Sequence, residues 1–365
     1  MKIGIDARLF GTNHGGIGRY SENLIKQLEK IDNNNQYFVF LQKNNFDEYQ
    51  PKNKNFQKVL ADFKAYSLSE QLAFPYLLYK YKLDLVHFTH FNAPIFYSKK
   101  YIVTIHDLII SHYPSSRATT LNPLLYKIKL FLYKVVVKLI AKKAKGIIAV
   151  SQYTKNDIVK LLKIKEDKII VTHEGVDLPI AGEKSELGIT KEFLLYVGSA
   201  YPHKNLEKLL QAFQNINKHY QLVLVGKKNY FYDRLKEEIK KLGLGNRVVL
   251  TGYLDDKKLA NLYKTAKLYV FPSLMEGFGL PPLEAQSYDL PVVSSSATCL
   301  PEILGDSAVY FNPNDIDSIS EKINQVLKSD KLMGELVQKG RENLKKYSWT
   351  DCAEETLAQY IKMIK

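Results

Sequence analysis

Cysteine is nearly missing from this chain: 365 residues include only Cys299 and Cys352, too few for a framework of bridges. Neither stands at a metal-ligand spacing from a histidine or from the other cysteine, so no zinc site is read here and a reducing compartment is expected. Apolar runs long enough to span a bilayer are missing as well. The most apolar stretch, residues 124–141, is broken by Lys127, Lys129, Lys134 and Lys138, each costly in hydrocarbon. The start, Met1-Lys2-Ile3-Gly4-Ile5-Asp6, reads at once as a buried strand rather than as a charged segment followed by a leader's apolar run. A cytoplasmic protein is expected, with a peripheral place on the inner face of the membrane as its variant.

Acidic residues are in deficit. There are 38 Asp and Glu against 52 Lys and Arg, a formal charge of +14 that favours anionic partners such as nucleotides, phospholipid headgroups or nucleic acid. Lysine is abundant along the whole chain, so a general compositional bias accounts for the excess equally well. A nucleic-acid module is nonetheless a remote reading, because no helix-turn-helix, zinc or RNP-like pattern occurs and the lysines are not interleaved with a stacking platform.

What is present is the composition of a folded α/β protein. Hydrophobic residues make up 45% and charged residues 25%, over a length that suits two domains, each with its own core. Short apolar runs alternate with helical patterns at 2–6, 37–41, 83–88, 101–106, 146–151 and 168–172. The pattern then restarts at 193–198, 221–226, 247–252, 267–273, 290–295 and 308–311. Alternation of this kind implies two doubly wound parallel sheets with crossover helices. The polar, Pro- and Gly-broken stretch from Leu178 to Ser185 suits a linker, which places the domains at 1–180 and 181–345, with a final helix at 346–365. Ligands of open parallel sheets collect beyond the carboxyl ends of the strands, so function is expected in those loops, facing a cleft between the domains.

Three loops carry chemistry. The first, Gly15-Gly16-Ile17-Gly18, opens a helix whose stripe is Tyr20, Leu24, Leu28 and Ile31; bare N–H groups at a helix start favour an anion. The dinucleotide fingerprint would need glycine where Ser21 stands, and no Walker lysine follows. The second, Gly198-Ser199-Ala200-Tyr201-Pro202-His203-Lys204, brings an ammonium just after a tight strand end, an arrangement suited to a diphosphate. Such a contact is worth about 4 kcal/mol gross at an effective dielectric near 20.

The third is Phe271-Pro272-Ser273-Leu274-Met275-Glu276-Gly277-Phe278-Gly279-Leu280-Pro281-Pro282-Leu283-Glu284-Ala285. Glu276 enters a glycine loop after a buried strand, and Pro281 and Pro282 prepare a helix start, with Glu284 expected in its first turn. The glycines let backbone N–H groups of Phe278, Gly279 and Leu280 approach a polar, hydroxylated, phosphate-bearing ligand. A Glu284 that merely favours the helix N-terminus, worth about 0.3–1 kcal/mol, is the plain alternative.

This last segment resembles the signature of glycosyltransferase family 4, retaining enzymes with the GT-B fold, and the resemblance extends over nearly the whole chain. It implies that Glu276 contacts the donor sugar and Glu284 the nucleotide ribose. It implies that Gly198, Ser199 and Lys204 hold the diphosphate, although family members commonly carry arginine where Ser199 stands. In Tyr101-Ile102-Val103-Thr104-Ile105-His106 it implies that His106 touches the donor sugar, and at Thr251-Gly252-Tyr253 that the base is held there. The motifs at 149–154 and 173–177 recur in the family and read as structural. The last helix resembles one that crosses back to brace the first domain.

The expected donor is a nucleotide-diphosphate sugar, GDP-mannose first, and the acceptor a glycan or lipid-linked hydroxyl in surface-polysaccharide assembly. Use of a UDP-sugar, or a nucleotide-sugar epimerase, is the alternative. No activated nucleophile and no Asp-x-Asp metal site is read, so catalysis by Glu276, Lys204 and His106 with no metal or other cofactor is expected. On the helix expected between Leu124 and Lys145, a stripe of Lys127, Lys134, Lys138, Lys142 and Lys145 is either a solvated face or a contact with an anionic membrane.

Overall fold

Runs rich in Val, Ile, Leu and aromatic residues form strands buried on both faces, as parallel sheets require. The computed structural model describes residues 1–65, 67–114, 122–184 and 186–364, and the chain divides into two compact units. One comprises Met1–Gly175 with Ser348–Lys365, the other Val176–Tyr347. The division thus falls just ahead of the stretch expected to be the linker. Residues of that stretch run over the second unit: Ile180 N–H donates to Tyr288 Oη (3.1 Å) and Glu183 N–H to the Lys257 carbonyl (3.0 Å).

The first unit holds β1 (Lys2–Asp6), β2 (Gln36–Leu41), β3 (Phe56–Leu60), β4 (Leu85–Phe88), β5 (Tyr101–Ile105), β6 (Gly146–Ala149) and β7 (Ile169–Val171). They form one parallel sheet in the order β3-β2-β1-β4-β5-β6-β7. Strand β3 is not anticipated by the sequence reading, because it is an edge strand in which only Phe56 and Val59 are buried, and so it lacks a continuous apolar run. The second unit holds β8 (Phe193–Val197), β9 (Gln221–Val225), β10 (Val248–Gly252), β11 (Leu268–Phe271), β12 (Val292–Ser295) and β13 (Ala308–Phe311). Their order is β10-β9-β8-β11-β12-β13, again all parallel.

Each sheet reverses direction once, between β1 and β4 and between β8 and β11. At such a switch point two loops diverge beyond the strand ends and leave a crevice. In the first unit helix Gly15–Ile31 buries Tyr20, Ser21, Leu24, Ile25 and Leu28, whereas Ile31 is only half-buried. The final helix, Trp349–Ile364, packs on it within the same unit and buries Trp349, Cys352, Ala353, Thr356 and Tyr360. Tyr360 Oη lies 2.7 Å from His87 Nδ1. Among the described residues no helix is long and apolar enough to cross a membrane.

Candidate active site

At the switch point of the second sheet, the loops after β8 and β11 meet. Lys204 ends a short 3₁₀ turn, Pro202–Lys204, and its Nζ lies 2.6 Å from Glu276 Oε1. Both side chains are largely buried, 17% and 10% exposed, so the pair is poorly screened by solvent. The two loops are tied together beneath it: Leu274 N–H donates to the His203 carbonyl (2.7 Å), and Asn205 Nδ2 donates to the carbonyls of Pro272 (3.1 Å) and Pro313 (2.8 Å). Lys204 Nζ also sits 5.8 Å from the Phe271 ring centroid. Burial first, then the Lys204 charge, pushes His203 down to about 4, so its ring is neutral near pH 7 and leaves the cation to Lys204.

Glu276 is held from behind. Its N–H donates to Thr298 Oγ1 (3.1 Å), and the Cys299 thiol donates to the carbonyls of Glu276 and Phe278, both at 3.3 Å. Burial above all, and then the Glu276 charge, pushes that thiol up, which keeps it protonated and able to donate. Sequence reasoning missed Thr298 and Cys299, since a lone threonine and a lone cysteine carry no spacing signal. Gly279 has φ +100°, and a Cβ there would lie 2.9 Å from Leu300 Cδ2, so the loop can pass into its helix only as glycine.

That helix, Leu280–Ser287, starts at Leu280 and Pro281. Glu284 is its fifth residue and lies in the second turn, a correction to the first-turn placement read from the prolines. Its carboxylate Oε2 accepts from Tyr263 Oη at 3.0 Å, so the first-turn dipole explanation does not apply to it. Gly198, Gly226 and Gly252 stand at the ends of neighbouring strands β8, β9 and β10. A Cβ on Gly226 would lie 2.1 Å from the Gly198 carbonyl oxygen, which leaves bare backbone beside Ser199. Tyr253 is half-exposed there, with Lys227 Nζ 5.6 Å from its ring centroid. The structure therefore gathers Gly198, Ser199, Lys204, Glu276, Phe278, Gly279, Leu280 and Glu284 around one switch point.

Gly15, Gly16 and His106 belong to the other unit. Gly15 opens its helix at φ +64°, and both glycines are exposed. His106 is buried, with Nδ1 2.9 Å from Glu174 Oε1 and Nε2 3.0 Å from the Thr89 carbonyl. With Glu174 ionised both partners are acceptors, an arrangement that a ring protonated at both nitrogens satisfies in full. The Tyr20 ring packs against it edge-on and His90 stacks 6.4 Å away. In this arrangement both ring nitrogens of His106, the residue expected to touch the donor sugar, are engaged within the first unit. His87 is buried between Tyr360 and Thr104.

Burial alone would depress His106, yet the hydrogen bond and charge of Glu174 override it and hold the group above its ordinary value. Against an unfolded value of about 6.5, the pair's stabilisation is complete below that pH and lost as pH rises through the folded pKa. Thermal melts of the wild type and His106→Gln should therefore converge as pH is raised from 6 to 9. A gap that stays constant with pH would show the ring to be neutral.

The switch point of the first sheet holds a charged cluster that the sequence reading does not single out. Arg8 makes two bonds to Asp6, Nε–Oδ1 at 2.8 Å and Nη2–Oδ2 at 2.7 Å, and Nη1 reaches Glu70 Oε1 at 2.7 Å. Asn92 Nδ2 donates to the same Glu70 oxygen (2.8 Å), and the Arg8 guanidinium lies 4.3 Å over the Phe74 ring. The available signal is an Asp-x-Arg step at the end of an apolar strand. A second oversight is the triplet Asp315-Ile316-Asp317, which has the Asp-x-Asp spacing. Its Asp315 Oδ1 caps helix Ile316–Leu327 by accepting from the N–H groups of Asp317 (3.0 Å) and Ser318 (3.3 Å).

Comparison with known proteins follows this division of the chain. The family profile described as Glycosyl transferases group 1 matches residues 179–343, and the one described as Glycosyltransferase Family 4 matches residues 14–179. The O-antigen chain mannosyltransferase B of Escherichia coli is 29% identical over 94% of this chain and 95% of its own length. Sucrose-phosphate synthase from Thermosynechococcus elongatus has the same fold, with a TM-score of 0.80 at 20% identity over 100% of this chain and 99% of that one. Anabaena HepE, solved in complex with UDP and glucose, gives a TM-score of 0.78 at 17% identity over 99% and 100%.

Proposed function

The chain is a glycosyltransferase belonging to family 4, and on that premise we propose that it moves a hexose from a nucleotide-diphosphate sugar to an acceptor hydroxyl with retention at the anomeric carbon. The observation that carries this reading is the 2.6 Å Lys204–Glu276 contact at the β8/β11 switch point, beside the Gly279 turn. A diphosphate entering there competes with Glu276 for the Lys204 ammonium. Lys204 turns to the leaving group, and the freed Glu276 carboxylate accepts from sugar hydroxyls.

As the bond from the anomeric carbon to phosphate breaks, charge builds on the diphosphate, and Lys204 with the Leu280–Ser287 helix start stabilises it. The acceptor oxygen bonds to the same carbon from the face the phosphate leaves, and its proton passes to the departing phosphate oxygen. Stabilisation by Lys204 supplies the charge that a metal would otherwise bring, so turnover should persist in EDTA. Loss of activity restored by a divalent cation would reject this.

GDP-mannose is the first donor, supported by the likeness to an O-antigen mannosyltransferase and by Ser199. The acceptor would then be a glycan or lipid-linked hydroxyl in surface-polysaccharide assembly. The second reading is a UDP-sugar, favoured by the UDP and glucose bound to HepE. Thermal shift separates them: a nucleotide at 100 times its Kd stabilises the native state by about 2.7 kcal/mol. GDP should raise Tm more than UDP at equal concentration, and the reverse order would transfer the assignment to UDP. An NMR anomeric assignment of the product tests retention.

A further inference from the structure

On one face of the first sheet, the side that points away from the core is apolar. The helix Pro123–Lys143 turns Val137, Ile140 and Ala141 inward. Opposite them, Leu124, Ile128, Phe131, Leu132, Val135 and Leu139 are all exposed, Phe131 at 66%. At 100° per residue these outward side chains fill one arc. Lys127, Lys134 and Lys138 border it on one edge and Lys129 on the other.

A second helix, Leu68–Lys80, repeats the pattern with Leu68, Leu72 and Tyr76 at one-turn spacing, Tyr76 being 77% exposed. Connections β3 to β4 and β5 to β6 run the same way along the sheet, and right-handed crossovers put both helices on the same face. The loop between β4 and β5 joins them: Ile95 N–H donates to Gln71 Oε1 (2.8 Å), and its carbonyl accepts from Lys143 Nζ (2.8 Å). This loop adds Phe96, 60% exposed.

Charge on the face is of one sign. Residues 91–100 and 122–145 contain no Asp or Glu, while 122–145 alone contains seven lysines. The only acid of Leu68–Lys80 is Glu70, fully buried on Arg8. Two copies of such a face would repel each other, which disfavours self-association. Apolar side chains bordered by lysines without acids instead match a layer that is oily inside and negative at its surface.

We propose that this face docks on an anionic lipid bilayer, with Phe131, Leu132, Tyr76 and Phe96 entering the boundary between headgroups and acyl chains and the lysines meeting lipid phosphates. The inference stands on the first unit alone and does not depend on which donor is used. Full-length protein is sedimented with phosphatidylcholine vesicles with and without phosphatidylglycerol. It should partition to the phosphatidylglycerol vesicles and be released by salt.

Each lysine near an anionic surface contributes about fivefold, so the triple variant Lys127→Gln, Lys134→Gln, Lys138→Gln should lose on the order of 100-fold in partitioning. The double variant Tyr76→Ser, Phe131→Ser should bind more weakly yet keep its response to phosphatidylglycerol. Unchanged melting and unchanged nucleotide-induced shifts in Tm establish that both variants are folded. The proposal is overturned if the wild type ignores phosphatidylglycerol at low salt, or if the triple variant partitions as the wild type does. A dimer in velocity sedimentation that Phe131→Ser dissociates would also overturn it, by assigning the face to a second copy.

Discussion

Lys204→Ala should lower turnover with a nucleotide-diphosphate sugar on the order of 10²–10³-fold, the usual cost of removing one preorganised charge stabiliser. The structure adds a second consequence that the sequence does not supply. Lys204 neutralises Glu276 at 2.6 Å, so the alanine variant leaves a largely buried carboxylate without its cation. A stability loss of about 1.5–3 kcal/mol is expected on top of the kinetic defect. Pairing the change with Glu276→Gln separates the two effects. The double variant should recover most of the lost Tm, because no buried charge is left unmatched, but none of the lost turnover. Full turnover in Lys204→Ala would remove the diphosphate from this loop altogether.

Arg8→Ala should be the most destabilising single change in the first unit. It strands Asp6 and Glu70, both buried, at the end of β1. Breaking a buried ion pair by deleting one partner typically costs about 3–5 kcal/mol, because the remaining charge is desolvated without compensation. For a unit of this size the fall in Tm is on the order of 10 °C. Combining Arg8→Met with Asp6→Asn and Glu70→Gln removes every charge from the cluster and should restore much of the loss. Equal melting of the single and triple variants would show that the packing of Arg8 over Phe74, rather than charge matching, sets the stability.

Much of the second unit is legible in the sequence because its chemistry is contiguous. Glycine, lysine and glutamate in the loops after β8 and β11 mark a candidate anion site by residue type, and the structure brings Lys204 and Glu276 together there. What could not be read was long-range pairing. Glu174 lies 68 residues from His106, and Glu70 lies 62 from Arg8, so a histidine that looked available is bonded at both ring nitrogens and an arginine that looked incidental is a buried hub. Strand β3 escaped because only Phe56 and Val59 of this edge strand are buried, which leaves no continuous apolar run to read. The outward stripe of Pro123–Lys143 escaped for the opposite reason: an apolar helix reads as core until a structure shows which side its neighbours cover.

The first unit is assembled from two stretches of chain separated by the whole of the second, since Trp349–Ile364 supplies Tyr360 to His87. Translation proceeds from the amino end at roughly 5–20 residues per second, so this half begins emerging first yet receives Trp349–Ile364 only after all of Val176–Tyr347 has been made. The older half must wait with a buried face uncovered, so its packing is completed only after the second unit has been made.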